Sequence, residues 1–494
     1  MKRAGLLSVH IALFVIAATT AGNGQTLRDA VARALDTNPE TLAAESSAIA
    51  AKADTGLTRG ELLPKVILTG SAGAALRERD IASLSSNGDW LYARELRLSI
   101  IQQLYDGGKD RARINAAREA ALAAEMMRRK ADNDVALGTV EAYIGVLRAQ
   151  ALIDVAEANV AAHREALSKA RKQAEIGGDR SDRALVSGRL GLAQSILVSR
   201  RAVLRAAEIR FERFVGFSPQ NLLPFTLPNG YPMRAEDIDT SDAPEFLIER
   251  HLASAASHEV KAIQATWSPE ISAEARGGIG ENVSGIAGAD NEAAFFVTFG
   301  WTFFDRARDP SVSAARERAN QALESAENAK LIADESAARA WTAYQAALRQ
   351  GYVLQRHASR IREVGLDFSE QFGLGRRSLL NVLDIRNEQF RADSALVDVR
   401  FQEKLAAFRL LAATGDLAEA ILGRDAKAPI VASPLAPIAF ADRVGPENTP
   451  YVEVSPARSS DEDPPSSDAA DLSVNRAEGL SFSSLFKRRN STDE

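Results

Sequence analysis

The chain has 494 residues, of which 46% are hydrophobic, 26% charged and only 6% aromatic, with a formal net charge of -6 at pH 7. This composition supports a sizeable core of alanine-rich helix in more than one domain, and the acidic balance argues against a nucleic-acid binder. The absence of cysteine excludes disulfides, thiolate metal sites, cysteine nucleophiles and a lipidated amino terminus.

Lys2 and Arg3, an apolar run from Leu6 to Ala18 and small residues from Thr19 to Gly24 give residues 1–24 the form of a secretory signal peptide. No other apolar run approaches the roughly 18 to 20 residues of a membrane-spanning helix, so a mature chain that crosses a membrane must use strands. Leu27, Ala30, Val31, Ala34 and Leu35 line one face of a short helix over Thr26–Glu40, stopped near Asn38-Pro39. A second helix runs on towards Gly60 and Pro64.

From Lys65 the period changes to two, with Val66, Leu68, Gly70, Ala72, Ala74 and Leu76 on one face of a strand. A second strand over Glu95–Leu104 sets Leu96, Leu98 and Ile100 against Glu95, Arg97 and Ser99, so its faces meet two different solvents. Tyr105-Asp106-Gly107-Gly108 breaks it, and no proline follows until Pro219, which permits very long helices. Ile153, Val160 and Leu167 recur every seven residues. After a glycine turn at Gly177-Gly178, Leu190, Leu197, Leu204 and Phe211 do the same, as supercoiled helices require. Asp106 to Ile176 then makes a rod on the order of 100 Å long.

Beyond a proline-punctuated linker the order of events repeats. Asn38-Pro39 and Pro64 answer to Ala243-Pro244 and Pro269 at the same interval. A strand over Glu270–Ile279 alternates Ile271, Ala273, Ala275, Gly277 and Ile279 with Glu270, Ser272, Glu274 and Arg276. Another over Ala294–Phe304 places Phe295, Val297, Phe299, Trp301 and Phe303 opposite Thr298, Gly300 and Thr302, and ends at Asp305 as the earlier one ended at Asp106. Phe372–Phe390 makes a second helical tip, with Gly373 and Gly375 to reverse the chain and Ser378 to cap the returning helix. The chain is thus a tandem duplication with a period of about 200 residues. Residues 25–219 form the first repeat, 220–243 the linker, 244–425 the second repeat, and 426–494 an acidic Pro/Ser-rich tail expected to be disordered.

Each repeat supplies two strands of about the ten residues that cross a bilayer when tilted. Four strands cannot close a barrel, and unpaired edges in hydrocarbon are costly. A homotrimer gives twelve strands, with Glu95, Arg97, Glu270, Glu274 and Arg276 lining a wet lumen. Leu96, Leu98, Ile100, Phe295, Val297, Phe299 and Trp301 are the expected lipid-facing residues, with Phe296, Phe303 and Phe304 counted in the same aromatic band. The expected fold is mainly α, a long coiled-coil helical barrel below a trimeric 12-stranded outer-membrane β-barrel.

LRDAVARALDTNPE (Leu27–Glu40), GELLPKV (Gly60–Val66), LSIIQQLYDGGK (Leu98–Lys109), VEAYIGVLRAQ (Val140–Gln150), the first tip at Gly178–Asp182 and GRRSLLNVLDIRNEQF (Gly375–Phe390) carry a resemblance that spans nearly all of residues 26 to 420. In that order, inside a duplication, they resemble the TolC family of outer-membrane channel proteins. The resemblance implies a homotrimer in outer-membrane lipid whose helical tunnel crosses the periplasm to a periplasmic adaptor and an inner-membrane transporter, ABC or proton-driven. The RSLLNVLDIRNE wording is similar to members serving type I protein secretion, with multidrug efflux the other family role.

The resemblance also implies a gate at the second tip. Asp384 matches a carboxylate of the narrow periplasmic entrance, and three copies would form a cation-attracting ring. Asn381 matches the other entrance carboxylate, so this ring carries less charge. Arg377 matches a basic residue that holds neighbouring helices closed, against a carboxylate such as Asp182, and Phe372 stands where a tyrosine would supply a gating hydrogen bond. The plainer readings are solvated helix-surface charges for Asp384 and Arg377. No nucleophile motif, phosphate loop or histidine ligand spacing is present, so no enzyme, cofactor or metal is expected. The competing expectation is a periplasmic coiled-coil scaffold whose strands form a soluble domain.

Overall fold

The computed structural model describes residues 24–77, 90–175, 180–227 and 234–423. Residues 1–23 of the expected signal peptide (residues 1–24), the first-tip glycines Gly177 and Gly178, and the tail from residue 424 lie outside the described residues.

The elements fall into two matched series. The first is α1 (Leu27–Thr37), α2 (Pro39–Gly60), β1 (Lys65–Ala75), β2 (Leu91–Tyr105), α3 (Lys109–Glu175) and α4 (Arg180–Val215). The second is α5 (Pro244–Ala265), β3 (Glu270–Glu281), β4 (Ala289–Gly300), α6 (Arg308–Gly373) and α7 (Leu379–Thr414), followed by the short α8 (Leu417–Leu422). Matched helices agree closely in length: 22 residues for both α2 and α5, 67 for α3 against 66 for α6, and 36 for both α4 and α7.

Local chemistry sets these boundaries. Pro39 and Pro244 occupy the first turns of α2 and α5, where a missing N–H costs nothing. Asp106 Oδ1 accepts from the Gly108 amide at 2.9 Å and Asp305 Oδ1 from the Ala307 amide at 2.9 Å, so one carboxylate in each repeat turns strand into helix. At the second tip Gly375 takes φ +71°, while Gly373 stays within α6. Ser378 caps α7 by accepting from the Asn381 amide.

The four strands make one antiparallel sheet in the order β1-β2-β3-β4, with β1 and β4 at its edges. β4 begins earlier and ends earlier than the aromatic alternation suggests, because its length is set by pairing with β3, from Glu281↔Ala289 to Glu270↔Gly300. Trp301–Phe304 therefore lie beyond the strand.

The helices extend from one end of this sheet. α3, about 100 Å long by its residue count, packs against α2, α4, α5 and α7. One stretch of α3 has the composition of a membrane span, which apolar runs in the sequence do not suggest, but most of it is buried against other helices. Its core gathers Val31, Val140, Tyr143, Phe211, Phe408 and Leu417 from five helices. Tyr143 is fully buried, its hydroxyl 2.8 Å from the Gln25 carbonyl and 2.6 Å from that of Leu223. Burial pushes its phenol up to about 12, so it stays a neutral donor. Its counterpart Tyr344 is buried against Ala406 and Ala407.

Candidate functional site: a two-faced sheet and a paired helical tip

Strand pairing sorts the sheet's side chains into two chemically distinct faces. Leu96, Leu98 and Ile100 of β2 align with Gly70, Leu68 and Val66 of β1 and with Ile279, Gly277 and Ala275 of β3. Phe295 of β4 continues the Ile100–Ala275 row, and Val297 and Phe299, paired with Ala273 and Ile271, extend the same face towards the helices. This face is apolar and bare, with Leu98 at 44% and Phe299 at 63% exposure. Soluble monomers rarely leave so large a contiguous apolar patch in water. Trp301 lies just past β4, where its Nε1 donates to the Trp267 carbonyl at 3.2 Å and its ring meets Phe303 edge-on.

The opposite face is charged. Arg276 Nε donates to Glu292 Oε1 at 2.7 Å, and Arg97 lies 2.5 Å from Glu95 and 3.9 Å from Glu292. Gly278 is paired between Arg97 and Glu292, so the Arg97 side chain reaches Glu292 across β3. Phe296 belongs to this face and not to the apolar band, because its place in the alternation is one residue out of step with Phe295. The Arg276 guanidinium stacks on its ring at 4.6 Å. Glu270, at the helix end of the same face, forms an ion pair with Lys109 at the start of α3.

At the far end of the helices the two hairpins pack together. Leu167 and Ala170 of α3, Val186 of α4, and Leu379 and Leu383 of α7 form one buried cluster, with Phe372 and Leu190 partly buried against it. Phe372 thus contributes apolar packing where a tyrosine would contribute a hydroxyl. One helical turn beyond Leu380, Asp384 is exposed and meets Arg189 of α4, Nη2 to Oδ1 at 3.3 Å. Asn381 is half-buried in the first turn of α7.

Arg377 does not pair with Asp182 among the described residues. Its guanidinium sits 3.9 Å over the Phe368 ring and its Nε donates to Gln371 Oε1 at 3.2 Å, so α6 of its own hairpin draws it back. Asp182 lies in the first turn of α4, where a carboxylate favours the helix N-terminus. Arg189 is the cation that sequence reasoning missed. It lies two turns after Asp182 on the same face of α4, a spacing that carries no sign of a partner on α7. His163 of α3 is buried here at 5% exposure, and its pKa is lowered by burial and then by the positive charges of Arg189 and Arg386. Arg386 in turn donates to Gln389 within α7 and to Ser369 of α6 at 3.1 Å each, and the second bond ties α7 to α6.

A sheet with one bare apolar face and one charged face, carried on long paired helices, fits the class of outer-membrane channel proteins. Residues 30–185 and 241–416 match the sequence model of the outer membrane efflux protein family, and the chain belongs to that family. It is similar to the outer membrane efflux protein BepC of Brucella suis biovar 1 (strain 1330), 25% identical over 334 residues that cover 66% of this chain and 73% of BepC. It is also similar to the alkaline protease secretion protein AprF of Pseudomonas aeruginosa, 26% identical over 261 residues, or 50% of this chain and 53% of AprF. In fold it resembles VceC of Vibrio cholerae (TM-score 0.70, 16% identity, covering 79% of this chain and 96% of VceC). The open-state MtrE channel of Neisseria gonorrhoeae is comparable (TM-score 0.67, 17% identity, 79% and 88%). The protein is an outer-membrane efflux channel by family, in a family of transport channels.

Proposed function

We propose that the chain works as a homotrimer in which the β4 edge of one subunit pairs with the β1 edge of the next, closing twelve strands into a barrel. The charged face lines its lumen and the apolar face meets lipid. One observation carries this reading: the four-stranded sheet has an exposed apolar face, a charged opposite face and, among the described residues, two unpaired edges. Unpaired edges within hydrocarbon cost several kcal/mol per group, and closure by further copies removes them. A water-soluble scaffold has no use for the apolar face.

In this reading Met1–Gly24 directs export, and the helical hairpins continue the lumen through the periplasm to a tip where the passage is narrowest. Asp384 of three subunits forms a cation-attracting ring there, Asn381 lowers its charge, and Asp182, Arg377 and Phe372 shape its surroundings. A periplasmic adaptor and an inner-membrane ABC or proton-driven transporter recruit the tip. Protein cargo is favoured by the secretion wording of the second tip and by the similarity to AprF, an alkaline protease secretion protein. Drug efflux is the reading favoured by the similarity to BepC.

The test is reconstitution of the purified protein in planar lipid bilayers, with cross-linking in native membranes. Unitary currents and a cross-linked trimer are expected. A monomer at all concentrations that passes no current would overturn the proposal.

A further inference from the structure

The segment joining β3 to β4 does more than turn the chain. A hairpin needs about two residues for that, whereas here Asn282–Gly288 leaves the end of β3, lies across β2 and reaches the end of β1. Four of its residues adopt left-handed backbone: Asn282 (φ 52°), Ser284 (54°), Gly285 (72°) and Gly288 (117°). Two of these are not glycine, so contacts must hold the shape.

Those contacts centre on Asn282. Its Nδ2 donates to the Tyr92 carbonyl at 2.9 Å, its Oδ1 accepts from the Gly288 amide at 2.9 Å, and its own amide donates to the Gly288 carbonyl at 2.7 Å. Gly285 is buried so close to β1 that a Cβ there would lie 2.8 Å from the Arg77 amide nitrogen.

One contact fixes the face on which the segment lies. Gly280 belongs to the charged face, and the place a Cβ would take is filled by a methyl of Val283. The segment therefore folds over the charged face, at the end of the sheet away from the helices.

We propose that Asn282–Gly288 is a strap across the extracellular mouth of the channel, and that Asn282, by holding it down, determines the size of solute that can pass. The inference rests on the reading that the charged face lines the lumen. Three straps, one per subunit, would then narrow the exit independently of the periplasmic tip.

The chain lacks cysteine, so single cysteines report cleanly. Ser99→Cys lies on the charged face below the strap and Leu98→Cys on the apolar face. Each is combined with Asn282→Ala, and separately with replacement of Asn282–Gly288 by Asn-Gly. A bulky membrane-impermeant maleimide is added outside intact cells, and neutral polyethylene glycols of graded size are added to the extracellular side of single channels.

Both strap variants are expected to label Ser99→Cys several-fold faster, leave Leu98→Cys unlabelled, and admit larger polymers than the unaltered strap. A conducting channel whose Ser99→Cys labelling and polymer cut-off do not change in Asn282→Ala would overturn the strap while leaving the lumen assignment standing. Failure of the lumen assignment looks different, because Leu98→Cys would then label and Ser99→Cys would not, whatever the strap.

Discussion

Arg189 and Asp384 are 195 positions apart in the chain and 3.3 Å apart in space, one near the start of α4 and the other near the start of α7. This ion pair bridges the two hairpins beside the buried Leu167–Leu379–Leu383 cluster. Both side chains are substantially exposed, so a single pair is worth under about 1 kcal/mol. Three acting together in a trimer would shift a closed-to-open balance by at most about a hundredfold, which an adaptor can overcome by binding. Arg189→Ala is expected to raise the open fraction in single-channel recordings. Arg377→Ala should raise it less, since its contacts stay within the second hairpin. The reverse order would return the clasp to Arg377.

Asp384→Lys separates selectivity from holding. It breaks the same pair and, in the proposed trimer, replaces three entrance carboxylates by three ammonium groups, so cation preference should fall or invert. Arg189→Ala should keep that preference while opening the tip. Reversal potentials under a salt gradient check this, and an unchanged value in Asp384→Lys would place the side chain outside the passage.

Much of this was legible from local pattern. The alternation at Leu96–Ile100, the Asp106 and Asp305 turns, the Ser378 cap and the duplicated prolines all act through neighbours a few residues away, and each appears in the structure at its expected place. The partner of Asp384 was not legible, because pairing between α4 and α7 leaves no period in either helix. Phe296 was misplaced for a different reason. Its hydrophobicity suggested lipid, but its side in the alternation and the Arg276 stacking put it on the charged face. The strap was invisible because its course is set by the Tyr92 carbonyl, far away in sequence.

The two faces of the sheet should tolerate charge differently. Arginine or lysine at Leu98 or Val297 should impair assembly, costing about 2 to 4 kcal/mol near a bilayer midplane, whereas Ser99 and Thr298 should accept it. The yield of membrane-inserted, heat-resistant trimer measures this. Equal tolerance at all four positions would mean that the sheet does not cross a bilayer.

Tyr143→Phe keeps the ring packing against Phe211 and Phe225 but leaves the Gln25 and Leu223 carbonyls without the hydroxyl. A loss of about 1 to 3 kcal/mol is expected, with conductance unchanged. Thermal unfolding of the reconstituted protein would measure the loss, and an unaltered midpoint would show that the hydroxyl contributes nothing.

Two buried groups should give opposite pH responses. His163 has a folded pKa below its ordinary value, chiefly because burial and then Arg189 and Arg386 oppose its charging. Above the unfolded value of about 6.5 both states are neutral there. As pH falls below it the unfolded chain takes up the proton first, so His163 lowers stability progressively. Glu403 of α7, at 8% exposure, has its carboxyl pushed up by burial, more than Lys404 and Arg400 push it down. The folded state then holds that proton more tightly than the unfolded chain, and Glu403 favours folding more as pH falls through its raised folded value towards the ordinary carboxylate range. His163→Gln should therefore flatten the loss of stability between pH 7 and 5 relative to wild type. Glu403→Gln should stabilise most at neutral pH, where the buried charge is dearest, and its advantage should shrink on acidification. Unfolding midpoints of both variants across that range decide the matter, and parallel pH curves for wild type and His163→Gln would show that His163 titrates in the fold as it does in the unfolded chain.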